Sequence, residues 1–397
     1  MRNFSTAIIG AGPAGILAAI SSKRLANLDV VICEKMPQIG KKILASGNGR
    51  CNLSNERINQ SYYNPLAKTL VNKVFARFGK DDITKFFRSL GLELCAESDG
   101  RIFPATNQSS SVVKVLEIEL KRLSIPVELD FKVEKISDLK EGFVLSSRSG
   151  KELSCRNLIL AGGGKSYPAL GSDGSAYELA TAFGHNLVKP VPAAVPVVVK
   201  DQMCHLLQGQ KIDARVAAFV DGKKACEASG DLLFTKYGLS GTAILDISEP
   251  ISIAINRNNK RDVVIFVDLA PYMDSNRLCV EIDKRLSSGW ANEDLIAGIL
   301  PNKFSSALKE PLKSRNAKFI TDSIKARRFM VIETKGWNEA EFTAGGIDLA
   351  DVNEDTLESK LKKGLYFAGE VLDVTGRRGG YNLAWAWASG HVAGLTE

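Results

Sequence analysis

At 397 residues and 45% hydrophobic composition, the chain is long enough for two or three domains with substantial cores, which excludes a disordered or fibrous protein. Its 52 Lys and Arg against 45 Asp and Glu give a formal charge of +7. No apolar run approaches the roughly 18 residues of a membrane helix, and the first apolar stretch is broken by Gly10, Gly12 and Pro13 without a cleavage signature. Seven cysteines without a CxxC pair, and three histidines (His185, His205, His391) without ligand spacing, predict free thiols, no metal and a cytoplasmic location.

The chain opens with an apolar, strand-like run at 5–9, then Gly10-Ala-Gly12-Pro-Ala-Gly15, then a helical run at 16–20. Strand, GxGxxG and helix together are the setting of a dinucleotide-binding turn. Gly10 permits the tight turn, Gly12 lets the backbone approach a pyrophosphate, and Gly15 lets the helix lie close to the sheet with its N–H groups toward the phosphates. A second apolar run at 29–33 ends at Glu34, where a carboxylate can accept the ribose hydroxyls. This part of the chain predicts a bound adenine dinucleotide.

Residues 67–125 read as mostly helical, with 112–120 the clearest stretch. Alternating runs at 131–136 and 142–147 predict a β-meander ending in a buried run at 157–161. Gly162-Gly163-Gly164 makes a second glycine turn there, ahead of residues 171–174 and a helix of about ten residues from Ser175. Pro190, Pro192 and Pro196 mark a boundary, since repeated prolines keep the chain extended and break regular pairing. Beyond them come strand-like runs at 195–199, 216–220 and 263–267, helices around Pro301, and a return at 328–333. From about residue 342 the chain rejoins the first domain through a buried strand at 365–368 and a helix at 383–394. The expected organisation is α/β: a Rossmann-like domain from 1–190 and 341–397, with a β-plus-helical substrate or cap domain inserted at 191–340.

The charge is uneven. From 303 to 328 there are Lys303, Lys309, Lys313, Arg315, Lys318, Lys325, Arg327 and Arg328 against Glu310 and Asp322. This is either a solvated helical face or a footprint for a phosphate backbone.

A strand followed by Gly369-Glu370, in a chain that begins with GxGxxG, suits a flavin dinucleotide. Glu370 would accept hydrogen bonds from ribityl or ribose oxygens, and Gly369 would admit the backbone close to the cofactor. The helix starting near Tyr381 and Asn382 would aim its positive end at the flavin pyrimidine edge, with Gly379 and Gly380 clearing the approach.

Residues 40–52 (GKKILASGNGRCN), 99–104 (DGRIFP), 342–346 (FTAGG), 364–370 (GLYFAGE) and 379–383 (GGYNL) resemble, across essentially the whole chain, the BaiN/YhiN-like FAD-dependent flavoproteins. The resemblance implies FAD in a fold of the two-dinucleotide-binding-domain type, with a β-barrel-like plus helical insertion covering the flavin. It implies cofactor contacts from Gly10, Gly12, Pro13, Ala14, Gly15, Glu34, Lys35, Lys42, Ser46, Gly47, Arg50, Cys51, Asn52, Ala161, Gly162, Gly163, Gly369, Glu370, Gly380, Tyr381, Asn382 and Leu383. It also sets the Val133 backbone against the adenine. More distantly the chain resembles fumarate reductase flavoproteins, which place a substrate-binding histidine before Thr-x-Gly-Gly. Phe342 stands there in this chain, and it cannot bind a dicarboxylate.

The chemistry expected is hydride transfer to a C=C bond, with NAD(P)H as a transient reductant because no second GxGxxG is present. Cys51 is the first candidate proton donor, with Arg50 beside it to lower the thiol pKa, and Tyr381 is the second. Arg377 and Arg378 are candidates for an anionic substrate or the flavin phosphates. The resemblance offers two substrates, a uridine in ribosomal RNA or a small conjugated enone. The basic segment and the sparse aromatics favour RNA. A non-catalytic flavin-bearing binding protein is a third reading.

Overall fold

The computed structural model describes residues 2–395. The chain divides into two compact units, Met1–Pro190 with Phe342–Glu397, and Val191–Glu341. In the first unit the strand order is Val127–Glu128, Val30–Cys33, Arg2–Ile9, Glu152–Leu160, Phe143–Ser147, Val133–Asp138. The first four run parallel and the last two form an antiparallel hairpin. Glu152–Leu160 is the branch point. One edge pairs with Arg2–Ile9 along its length, while the other pairs with Phe143–Ser147 through residues 152–155 and with Leu365–Phe367 through residues 158–160. Val30–Cys33 and Leu365–Phe367 are buried at every position, as expected of strands covered on both faces.

The helix Pro13–Ala26 begins with proline at its first turn, where a missing N–H leaves nothing unpaired, and ends at Asn27 in the left-handed region. Against it lies Tyr381–Ala393, a helix buried around most of its circumference. Small residues set their separation. A Cβ on Gly390 would fall on the Ala14 carbonyl oxygen, and one on Gly394 would come within 2.5 Å of the Ala18 carbonyl oxygen. Ser22 Oγ bridges them, donating to the Gly394 carbonyl at 2.8 Å and to the Ala18 carbonyl at 2.9 Å. Trp385 Nε1 donates to the Gly369 carbonyl at 3.1 Å, Gly369 N donates to Ser389 Oγ at 2.9 Å, and Trp387 Nε1 donates to the Leu53 carbonyl at 3.1 Å.

Several local expectations change. The 67–125 region contains the helices Lys68–Arg77, Lys80–Ser89 and Ser109–Arg122, but between them Leu94–Ala96 and Arg101–Pro104 pair antiparallel, with Ser54–Asn55 added at the edge. The cause is Asp99-Gly100, where Gly100 takes φ +87° and turns the chain into a hairpin. The helix from Ser175 stops after Thr181, short of a left-handed Gly184, and the C-terminal helix starts two residues early, at Tyr381. Pro190 and Pro192 lie within a strand, Leu187–Ala193, rather than in an unpaired linker.

The second unit is a closed antiparallel barrel in the order Val197–Val199, Gly238–Ser240, Lys223–Thr235, Lys211–Val220, Val263–Asp268, Arg327–Thr334. Its longest strand, Lys223–Thr235, escapes sequence reading because its buried and exposed positions carry few large apolar residues. Thr242–Ser252 packs Ile244, Ile247 and Ile251 into the barrel's core cluster, and Ser275–Ser287 and Ala317–Lys325 pack on each other.

Two predictions concern the paired helices. Gly390→Ala should destabilise the protein by about 1–3 kcal/mol through overpacking, read as a lowered Tm with the secondary structure retained. His391 stacks on Phe78 with ring centroids 4.1 Å apart, and its Nδ1 lies 2.9 Å from Ser21 Oγ. Burial, helped by Arg77, lowers its pKa from 6.5 to about 4. The unfolded chain therefore binds a proton over a window in which the folded chain does not. Stability from the neutral ring is fully present above pH 6.5 and lost as the pH falls toward 4. Tm measured across that window should fall, and His391→Gln should flatten the decline.

Candidate functional site

The three fingerprint glycines have different reasons to be glycine. Gly10 ends the first strand at φ +104°, and a Cβ there would sit 2.6 Å from the Ala161 carbonyl oxygen. A Cβ on Gly15 would fall on the Gly10 carbonyl. Gly12 has an ordinary φ of −83° and nothing within 4 Å of its Cβ direction. The first and third glycines thus serve the chain's own packing. The second leaves open ground at the N-terminus of Pro13–Ala26, whose first N–H groups have no partner within the helix.

Glu34 completes this cradle. Its Oε2 accepts from Ala11 N at 2.6 Å and its Oε1 from Met36 N at 2.8 Å, which fixes the carboxylate beside the glycine loop. Phe131 N donates to the Glu34 carbonyl at 2.8 Å and brings the start of Val133–Asp138, with buried Val133, to the same edge. Cleared backbone, helix terminus and fixed acid fit the adenine half of FAD. Lys35 does not point into this cradle. Its ammonium holds Asp173 Oδ1 at 2.5 Å and Ser175 Oγ at 3.2 Å. Burial would raise the Asp173 carboxyl, but the hydrogen bonds from Lys35 and Ser175 outweigh it and hold the group at about 2.

The second glycine turn closes on the same strands. Ala161 N donates to the Ile9 carbonyl at 2.9 Å. A Cβ on Gly162 would sit 2.8 Å from Ala176 Cβ, and one on Gly163, at φ +77°, would sit 2.8 Å from Ser172 Oγ. Glu370 gathers donors from several segments around this turn. Its Oε2 accepts from Lys42 Nζ at 2.7 Å and Gly164 N at 3.3 Å, and its Oε1 from Thr343 N at 2.8 Å and Ser166 Oγ at 3.4 Å. Both oxygens are engaged by the chain itself. Glu370 therefore ties four segments together beside the second glycine turn, as Glu34 holds the first. Lys42 is held in the same knot by Ser166 Oγ at 2.9 Å. Thr343 was missed as a structural centre: its hydroxyl accepts from Lys165 N at 2.8 Å and Ser166 N at 3.2 Å. The Thr-Ala-Gly-Gly sequence was the available signal.

The loop around Cys51 overturns the first proton-donor candidate. Ser46 Oγ donates back to the Ile43 carbonyl at 2.8 Å, and Gly47 and Asn48 turn the chain through consecutive left-handed conformations. Arg50 swings away to Glu97 at 2.8 Å and lies over the Phe103 ring, 4.1 Å from its centroid. Cys51 is fully buried, and burial pushes its thiol up to about 12 in spite of a hydrogen bond with Ser46. Arg50 does not activate it. Next to it, Asn52 Oδ1 and Ser54 Oγ are buried without hydrogen-bond partners. A Cβ on Gly380, at φ +100°, would fall on the Ser54 carbonyl.

The C-terminal turn is stiffly held. Asn382 brackets Gly376, accepting from its N–H and donating to its carbonyl, both at 2.8 Å. Leu383 is half-buried and packs against the first unit's core. Tyr381 stacks on Tyr62, and burial, with Tyr62, pushes its phenol up to about 12.

In the barrel unit the basic segment is partly neutralised. Lys325 pairs with Asp268 at 2.6 Å, Arg327 with Asp201 at 2.6 Å, and Lys313 with Glu310 at 3.0 Å, while Arg315 binds Asn292 Oδ1 at 3.0 Å. Lys303, Lys309, Lys318 and Arg328 remain as exposed charge. Among the described residues no three His, Cys, Asp or Glu side chains group as a metal-ligating set, and no helix is long and apolar enough to cross a membrane.

The glycine geometry makes a paired prediction. Gly12→Ala should keep the wild-type Tm without added ligand yet lose most flavin absorbance on purification, whereas Gly15→Ala should lower the Tm itself. Equal effects of the two would contradict separate roles.

Residues 4–396 match the family described as the HI0933-like protein Rossmann domain. The chain is 36% identical to 3-dehydro-bile acid Δ(4,6)-reductase of Clostridium scindens, over 98% of this chain and 97% of that one. It is 30% identical to ribosomal RNA dihydrouridine synthase of Haemophilus influenzae, also over 98% and 97%. The open conformation of a flavocytochrome c3 fumarate reductase shares the fold, with a TM-score of 0.50 at 16% identity over 99% of this chain and 78% of that one. A glycine cradle open only at Gly12, joined through both chain ends to the Glu370 knot, accords with that likeness, and the chain belongs to the HI0933-like Rossmann family of flavoprotein oxidoreductases.

Proposed function

We propose that this protein is an FAD-dependent reductase that adds hydrogen across a polarised C=C bond, that NAD(P)H docking transiently is its reductant, and that its substrate is a uridine in ribosomal RNA. Bound and reduced, FAD supplies the hydride. The observation that carries the reading is the placement of Tyr381, at the start of the C-terminal helix beside Gly379 and Gly380, stacked on Tyr62 with Arg57 and Arg377 close by. A phenol keeps its proton through neutral pH, and burial with Tyr62 shifts this one further the same way. In uridine the C5=C6 bond is conjugated to the C4 carbonyl. Hydride adds at C6, and Tyr381 gives its proton to C5 and regains one from solvent. Gly12 and the helix terminus behind it hold the pyrophosphate, and Glu34 takes the ribose. Glu370 positions Lys42 and Thr343 rather than touching substrate.

The likeness to a ribosomal RNA dihydrouridine synthase over nearly the whole length of both chains supports the RNA substrate, as do the exposed charges of Lys303, Lys309, Lys318 and Arg328. This substrate implies a cytoplasmic location. A small conjugated enone is the second reading, favoured by the 36% identity to the bile acid reductase.

Mass spectrometry of ribosomal RNA from cells with and without the gene tests the substrate. Loss of dihydrouridine, restored by the intact gene, is expected. Unchanged RNA, beside a flavin that NADH or NADPH bleaches anaerobically, would move the assignment to enones. Tyr381→Phe should lower kcat by about 10²-fold or more with flavin content unchanged, as for loss of a general acid. Cys51→Ser should leave kcat within a few-fold of wild type among molecules that fold. The reverse order would restore the thiol as donor.

A further inference from the structure

Near Tyr381 the first unit holds an electrostatic arrangement that its own fold does not balance. The Tyr62 and Tyr381 rings stack with centroids 4.7 Å apart at 19°, close enough for the Tyr62 phenol to raise that of Tyr381. Tyr63 meets Tyr381 edge-on at 6.2 Å, and its hydroxyl donates to the Tyr381 carbonyl at 2.8 Å. The Arg377 guanidinium lies 5.5 Å from the Tyr62 ring centroid. Arg57 and Arg377 are both near enough to act on the Tyr381 phenol.

Both arginines are exposed, and among the described residues neither is ion-paired with a carboxylate. The contrast lies close by, where Arg50 and Arg101 both pair with Glu97, at 2.8 and 2.7 Å. Arg57 reaches only the Ser98 carbonyl, at 3.4 Å. The backbone that carries the two arginines is fixed. Arg377 N donates to the Tyr62 carbonyl at 2.9 Å. Asn55, 3% exposed, accepts from Arg57 N and donates to the Gly379 carbonyl, both at 2.9 Å. One buried amide thus sets Arg57 against the turn that bears Arg377. Two guanidinium groups on fixed backbone beside the tyrosine pair repel each other, and they offer only donors while the phenols add O–H groups that can donate as well. An oxyanion satisfies both conditions, and arginine's planar fork suits it better than lysine would.

We propose that Arg57, Arg377 and Tyr62 form an anion-binding site, beside the Tyr381 acid, for a non-reacting part of the substrate. It rests on the reductase reading above and names what positions the substrate. For RNA the group bound is a phosphodiester flanking the reduced base; for a small-molecule substrate it is a carboxylate. Binding energy from that group orients the ring whose C=C bond is reduced.

The test uses the FAD-loaded protein and its Arg57→Gln/Arg377→Gln double variant. Flavin absorbance should match wild type; loss of FAD would show that the arginines hold the cofactor and would overturn the proposal. Binding of a fluorescent RNA hairpin with a uridine-rich loop is then followed by anisotropy over a range of KCl. The slope of log K against log salt should fall by about 0.7 in the variant, the value for one single-strand phosphate contact. An unchanged slope overturns the site while wild-type RNA binding leaves the RNA reading intact. If the wild type shows no salt-dependent RNA binding, the RNA reading fails and a second arm decides the site. There KM is compared for a conjugated steroid enone bearing a free carboxylate and for its methyl ester. A rise of about tenfold or more for the acid alone, as charge-assisted hydrogen bonds provide, supports the site; equal KM changes for acid and ester overturn it.

Discussion

The first unit depends on the close approach of two helices from opposite ends of the chain. Pro13–Ala26 and Tyr381–Ala393 come together because Gly390 and Gly394 carry no side chain where they meet the Ala14 and Ala18 carbonyls. Ser22 then satisfies the Gly394 carbonyl across the contact, so the approach leaves that oxygen paired. Ala14 belongs to the glycine fingerprint, and Tyr381 begins the second helix. Packing that would otherwise be routine therefore fixes the geometry between the loop at Gly12 and the turn at Gly380. Trp385 and Ser389 extend the same logic by holding both backbone groups of Gly369.

Charge placement follows from that frame. Glu370 is half shielded and gathers Lys42, Gly164, Ser166 and Thr343 from segments far apart in sequence. Four donors on one carboxylate form a network whose members support each other in a poorly screened setting. Removing Glu370 would leave Lys42 without its acid and the Thr343 N–H without its acceptor, so its role is organisational even though it adjoins the glycine turns. Glu34 acts in the same way on a smaller scale, since its two oxygens hold the fingerprint loop and the end of its own strand. In both places an acid near a glycine turn first satisfies backbone N–H groups.

Burial decides which groups can do chemistry. Cys51 and Tyr381 both have pKa values near 12, but they differ in setting. The thiol is sealed in the core beside a loop whose arginine turns to Glu97. The phenol lies in an arrangement of stacked rings that reaches the exposed arginines Arg57 and Arg377, so it can meet a solute. Both groups keep their proton across the range where cells live, so what separates them as donors is their setting and not their pKa.

Much of the fold was legible in the sequence because it rests on local signals. The strand, glycine turn and helix at residues 2–26 follow from an apolar run and the steric needs of Gly10 and Gly15. The buried strand Leu365–Phe367 and the C-terminal helix follow from continuous apolar character. Phe342 in place of a histidine was likewise readable as chemistry. The hairpin at 94–104 was concealed by its helical neighbours, and Lys223–Thr235 by alternation too polar to stand out, since a barrel closes its hydrogen bonds whatever the outward side chains are. Tertiary structure alone decided the partners of charge and the depth of burial. Arg50 lies next to Cys51 in sequence yet turns to Glu97, Glu370 draws its donors from three remote segments, and half of the basic segment disappears into internal bonds. Adjacency along the chain sets which groups are near in number. Ion pairs and desolvation depend on distance in space and on what excludes water, and those are settled only when remote segments pack.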